Sequence, residues 1–145
     1  MGVLSSTGLR AAMLVGPGAK GALDGGAFHI YGGAAPASAD DGLGNATLLC
    51  VVNNMGSGIT LDSSATGVLT NPPAETWAGD NIGSGVATFF RLVAPGDGGS
   101  ASVSAPRIQG SVGVIGADLN LDTVALVAGL PTEIRSYTIA VLGGA

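Results

Sequence analysis

Short runs of aliphatic, aromatic and β-branched residues, broken by Gly, Pro, Asn and Asp, fill the chain from residue 27 to its end. That punctuation predicts strands joined by turns rather than helices. Nine strands are predicted, over residues 27–31, 46–52, 58–61, 66–70, 75–78, 86–93, 111–115, 123–128 and 133–142. The last shows the clearest alternation, with Ile134, Tyr137, Ile139 and Val141 interleaved with Arg135, Ser136, Thr138 and Ala140. One slip near Ser136–Tyr137 predicts a bulge or a strand that starts late. Residues 86–93 are almost continuously apolar, interrupted by Thr88 and Arg91, and predict a central strand covered on both faces. Trp77, the largest side chain, is the best single core anchor. Ahead of the strands, Ser6-Thr7 caps one short helix over residues 8–15, which sets Leu9, Ala12, Met13 and Leu14 around one side before Gly16-Pro17-Gly18 ends it. It is the only helix predicted.

Short strands without helical crossovers cannot build a parallel sheet, so the expected fold is all-β, an antiparallel β-sandwich of jelly-roll or immunoglobulin-like type with one short N-terminal helix. Residues 1–145 read as one domain, with 1–25 an N-terminal arm and 26–145 the sandwich, because neither a repeat nor a shift in composition divides them. Residues 32–45 and 94–106 form two long loops, where a rigid sandwich usually carries its contacts.

Composition narrows the function. Hydrophobic residues make up 46% of the chain and charged ones 10%, which argues for a folded chain, and its 26 Gly and 7 Pro show no collagen period. A net charge of −5, with Lys20 the only lysine and Arg10, Arg91, Arg107 and Arg135 scattered, gives no basic stripe for nucleic acid. No apolar run approaches the length of a spanning helix, and the segment after Arg10 is too short for a secretory signal, so neither a membrane nor export is expected. Met1-Gly2 with Ser6 fits a myristoylation pattern, but no basic patch follows it. Cys50, the single cysteine, forms neither an internal disulfide nor a zinc knuckle. With so much Gly, Ala and Pro and few large side chains, the core is expected to be thin, and oligomerisation is the remedy left open.

Candidate chemistry is sparse. Gly16-Pro17-Gly18-Ala19-Lys20-Gly21 spells a dinucleotide fingerprint, but no strand precedes it and Gly25-Gly26 arrives too soon for a helix to follow. Asp118, Asn120 and Asp122 alternate as weak candidates for a hard cation, without the glycine and distant glutamate of a calcium loop. Asp40-Asp41 reads as a solvated turn. His29 is the only histidine, and Gly56-Ser57-Gly58 and Gly83-Ser84-Gly85 lack the spacing of a nucleophile elbow. Cys50 lies among Leu48, Leu49, Val51 and Val52 and reads as core. Glu75 and Glu133 carry no sign of a glycosidase pair, and Asn45-Ala46-Thr47 is a sequon only in a secretory setting. Neither an enzyme nor a cofactor is expected.

Several blocks carry a resemblance: Ser6-Thr7-Gly8-Leu9-Arg10, Ile30-Tyr31-Gly32-Gly33 with Pro36-Ala37-Ser38-Ala39-Asp40, Glu75-Thr76-Trp77, Phe89-Phe90-Arg91-Leu92, Arg107-Ile108-Gln109-Gly110-Ser111-Val112-Gly113, and Gly116-Ala117-Asp118-Leu119-Asn120-Leu121. In this order, along the whole chain, they resemble small β-rich virion proteins of tailed bacteriophages. The resemblance implies a capsid decoration, or cement, protein on the outer surface of the virion, made in the host cytoplasm, with a neck or tail component as the nearest alternative. Its implied partners are the major capsid protein and copies of itself, as a trimer. The expected contact regions are the N-terminal segment and the first long loop, through Leu4, Leu9, Met13, Leu14, Tyr31, Pro36 and Asp40, because the order of such flexible elements calls for a partner. A carbohydrate-binding sandwich is the alternative of a different class. It requires exposed aromatics, and most of the six here read as core.

Overall fold

Ser6 sets the start of the first helix. Its own backbone is extended, Thr7–Val15 (α1) follows, and its hydroxyl accepts the Leu9 amide at 3.1 Å, satisfying one of the amides that a helix start leaves free. In the computed structural model, which describes residues 3–64 and 67–140, Leu4–Ser5 forms a two-residue strand (β1) just before this cap. Gly16 ends α1 as expected, but a second helix follows at once, Gly18–Leu23 (α2). The sequence reading placed a turn there. Pro17 enters with helical backbone angles, Leu23 is fully buried, and Lys20 Nζ reaches both Asp24 at 2.6 Å and the Leu61 carbonyl at 2.7 Å. Burial and this anchoring stabilise a short helix that local propensity would not predict.

The strands follow as Ala27–Gly32 (β2), Thr47–Asn54 (β3), Val68–Thr70 (β4), Trp77–Asp80 (β5), Gly85–Val86 (β6), Phe89–Val93 (β7), Arg107–Gly113 (β8), Leu119–Asn120 (β9), Ala125–Leu126 (β10), Pro131–Ile134 (β11) and Thr138–Ala140 (β12). The main sheet runs β1-β8-β7-β2-β3-β5-β11, antiparallel throughout, and β9 lies beside β8 in a short parallel pairing. Two ribbons, β10-β6 and β12-β4, complete an all-β, sandwich-like fold. The predicted 86–93 strand divides into β6 and β7, and β7 is buried along its whole length. The predicted 133–142 strand also divides: β11 pairs with β5, β12 pairs with β4, and the break falls at the slip in alternation. Residues 141 and 142 of that prediction, and residue 66 of another, lie outside the described residues. Residues 58–61 form no strand, although Ile59 exchanges backbone hydrogen bonds with Gly25 and Gly26. β1 and β9 were not predicted, because two residues carry no period.

Register assigns the two faces of the central strands. Phe28, Leu92 and Ile108 stand in one row and Ile30, Phe90 and Gly110 in the next, all facing the apolar core. Phe28 lies at the centre of the aromatic packing, 5.3 Å from Trp77, 5.7 Å from Phe90 and 5.0 Å from Tyr137 between ring centroids. The opposite face carries His29 and Tyr31 on β2, Phe89, Arg91 and Val93 on β7, and Arg107, Gln109 and Ser111 on β8. This second face is buried as well, under the two long loops.

Ser6 also ties the N-terminal segment into the sheet. Its buried hydroxyl accepts the Arg107 amide at 2.8 Å and donates to the Ala105 carbonyl at 2.7 Å. Ser6→Ala therefore removes a cap and leaves two further backbone groups without a partner. It is expected to destabilise the fold by about 2 kcal/mol, read as a lower midpoint of urea unfolding; an unchanged midpoint would show that water replaces the hydroxyl at no cost.

Candidate functional site

The buried polar face is the most elaborate arrangement of chemistry in the chain. Arg91 and Arg107 are at most 1% exposed. Arg91 donates to Gln109 Oε1 at 2.8 Å, to the Gly99 carbonyl at 2.7 Å, and to the carbonyls of Ser38 and Asp41 at 3.2 and 2.8 Å. Arg107 grips the Asp97 carboxylate with two nitrogens, at 2.6 and 2.8 Å, and donates to the Ala39 and Ser100 carbonyls. Gln109 Nε2 donates to the Pro36 carbonyl at 2.8 Å. Strand alternation puts these side chains on one face, and the guanidinium forks present enough donors to hold two loops at once. The 32–45 and 94–106 loops, read from sequence as contact loops, are thus fastened to the sheet by the chain's own arginines.

Gly99 shows how closely the second loop descends. Its φ is +90°, its amide donates to Asp97 Oδ1 at 2.9 Å, and a Cβ there would lie 2.6 Å from the Tyr31 hydroxyl. Glycine is required at this point both for conformation and for space. Beneath it the Tyr31 ring stacks on Phe89, with centroids 4.9 Å apart, and its hydroxyl shares a 3.3 Å hydrogen bond with His29 Nδ1. Burial pushes the Asp97 carboxyl up, but hydrogen bonds from the Arg107 side chain and the Gly99 amide outweigh it and hold the group below the usual carboxylate range. Burial lowers the pKa of His29, assisted by Arg107 and opposed by Asp97. Burial raises that of Tyr31.

The sequence-predicted contact residues fall into three groups. Leu9 and Tyr31 are buried, 2% and 1% exposed; the first belongs to the core and the second lies under the loops, so neither offers a surface to a partner, a correction to the expectation. Leu4 and Pro36 are half-buried, paired with or bonded to Gln109. Asp40 is half-buried too and takes up the first turn of α1, accepting from the Thr7 amide at 2.8 Å and from the Thr7 hydroxyl; those hydrogen bonds lower its pKa. Only Met13 and Leu14 are exposed, with Val15 beside them. The order of the N-terminal segment and the first loop, which sequence reasoning assigned to external partners, has an internal cause.

The cation candidates are drawn to separate partners. Asp118 Oδ2 accepts from the Ser111 amide and hydroxyl, Asn120 Oδ1 from the Ala117 amide, and Asp122 Oδ2 from Arg135. Glu75 holds Trp77 Nε1 and the Thr60 amide, while Glu133 lies beside Arg135. Cys50 is buried among apolar side chains, and burial pushes its thiol up to about 11. His29, Ser57 and Asp97 do border one open cavity of about 170 Å³, but no hydrogen bond joins Ser57 to His29, and both Asp97 oxygens are held by Arg107. The members of a catalytic triad are present without its connections. All six aromatic residues are buried.

Four of the exposed aliphatic residues stand on two neighbouring segments. Segments 81–86 and 125–130 run side by side: Asn81 is bonded through its backbone to Gly129 and Leu130 and through its side chain to Val127, and β6 pairs with β10. Ile82, Val86, Val127 and Leu130, each more than half exposed, stand on these neighbouring segments. Compared with known proteins, the chain matches no family model, no curated protein and no solved structure.

Proposed function

We propose that the chain is a structural component of a phage virion, a capsid decoration protein that sits on the outer surface as a trimer and bridges subunits of the major capsid protein. The observation that carries this reading is the exposure of four aliphatic residues, Ile82, Val86, Val127 and Leu130, on two neighbouring, hydrogen-bonded segments of a protein whose loops are already closed by its own arginines. A group of aliphatic side chains held in the open by paired backbone marks a contact with another macromolecule. Burying such surface across a joint between subunits raises the free energy of separating them, a mechanical role that uses no catalytic residue. The phage resemblance of the sequence supports the choice of partner. A sugar-binding face finds no support, since every aromatic ring is buried.

The reading is tested with purified capsids of the phage that encodes the chain. Saturable co-sedimentation and a higher disruption temperature of the capsids are expected, and light scattering is expected to report a trimer. Ile82→Asp with Val127→Asp is expected to weaken binding at least tenfold, about 1.4 kcal/mol, with an unchanged unfolding midpoint, because both side chains face solvent in the isolated chain. Binding that survives both substitutions removes the patch from the argument. A chain that ignores capsids but binds tail complexes belongs at the neck or tail instead.

A further inference from the structure

His29 occupies the one titratable imidazole position in the chain, and its surroundings give that position a consequence. On its own strand it meets the Tyr31 hydroxyl. Across the sheet its register partner on β7 is Arg91, and Arg107 stands on the same face of β8. Above it passes the 94–106 loop, which brings the Asp97 carboxylate and sets Gly99 so close that a Cβ there would lie 3.6 Å from His29 Nδ1. On the other side β3 and its turn contribute Val51, Asn53 and Ser57, none of them charged. The immediate surroundings therefore hold two guanidinium groups and one carboxylate, and the carboxylate is already gripped by Arg107. The cavity bordered by Asn53, Ser57 and Asp97 opens to solvent, so a proton has a path to the ring.

We propose that His29 is a proton-operated latch for the 94–106 loop. Neutral, its Nδ1 accepts the Tyr31 hydroxyl, and the loop lies closed over both groups. Protonated, Nδ1 becomes a donor, the Tyr31 proton loses its acceptor, and a positive charge is held in a largely desolvated place under the loop, where the attraction of Asp97, opposed by Arg107, does not make good the water it has lost. The loop then loosens at Gly99, the point where it bears on the pair.

The direction of the pH dependence follows from linkage. Burial holds the closed-state pKa of His29 below its ordinary value of 6.5, so the open state takes up the proton first as pH falls. Closure is complete above that value and weakens progressively below it, down to the closed-state pKa. Asp97, held below the usual carboxylate range, keeps its charge across this window.

Because the chain has a single histidine, its imidazole resonances titrate without overlap. The experiment combines that titration by NMR with amide hydrogen exchange of the loop, corrected for intrinsic pH dependence, from pH 7.5 to 5. A midpoint below the ordinary value is expected, together with a loss of Gly99 and Ser102 amide protection of about tenfold for each pH unit by which the midpoint is lowered. His29→Gln, which keeps an acceptor but does not titrate, is expected to flatten the exchange profile over this range. A midpoint at or above 6.5, exchange that does not change with pH, or a profile that persists in His29→Gln would overturn the proposal. Where His29→Gln fails to fold, the midpoint and loop exchange of the unaltered chain decide between the two outcomes.

Discussion

Arg107→Ala is expected to cost about 3–5 kcal/mol of folding stability, the largest effect of any substitution outside the apolar core. The side chain is almost wholly buried and its partner Asp97 is only 11% exposed. Truncation leaves that carboxylate without its cation and the Ala39 and Ser100 carbonyls without their donor. The loss is larger than the net contribution of the pair to stability, because the remaining charge stays desolvated. Arg107→Lys is expected to recover only part of it, since one ammonium cannot reach a carboxylate and two loop carbonyls in the geometry of a planar fork. Urea unfolding provides the measurement, with the double variant Arg107→Ala/Asp97→Ala as the control: it should be less destabilised than the sum of its parts. A cost under about 1 kcal/mol for Arg107→Ala, well short of a broken buried pair, would mean that the loops are held by something other than this network.

The second large effect is expected at Phe28, whose ring touches Trp77, Phe90 and Tyr137. Phe28→Ala removes the central ring of that group and opens a cavity that strands on both sides prevent from collapsing. A loss of about 3–5 kcal/mol follows, equivalent to a fall in Tm on the order of 10 °C. Phe28→Leu, which keeps most of the volume, is expected to cost about 1.5 kcal/mol or less. Calorimetry gives both values, and the near-ultraviolet signal of Trp77, the single tryptophan, reports whether its packing loosens. Equal costs for Ala and Leu would show that the three surrounding rings close over the gap.

The two predictions mark the two faces of one sheet, and the faces were not equally legible. Phe28, Ile30, Phe90 and Leu92 are read as core from local pattern alone. Arg91 was visible as an interruption in an apolar run, whereas Arg107 and Gln109 lie ahead of the predicted 111–115 strand, in no predicted element, although β8 begins at Arg107. An arginine inside a run that is otherwise buried is itself the signal, since a charge is buried only with partners. Its partners stay hidden because they are backbone carbonyls of Gly- and Ala-rich loops, which no residue type announces. The thin-core expectation counted side chains alone and so left out the hydrogen bonds that order the loops.

What the sequence determined by itself was the class of the fold: an antiparallel, all-β chain with a capped N-terminal helix, a central strand within residues 86–93 covered on both sides, and Trp77 in the core. These are properties of period and punctuation over a few neighbouring residues, and the pleat converts them directly into burial. Tertiary structure alone decided the second helix, the division of two long strands into four short ones, the closure of the loops and the side-by-side placing of segments 81–86 and 125–130. Each depends on groups far apart in sequence, such as Arg91 with Asp41 at a separation of 50 residues and Arg107 with Ala39 at 68. Local pattern carries no information about which distant carbonyl a donor will meet; the register of the folded sheet supplies it.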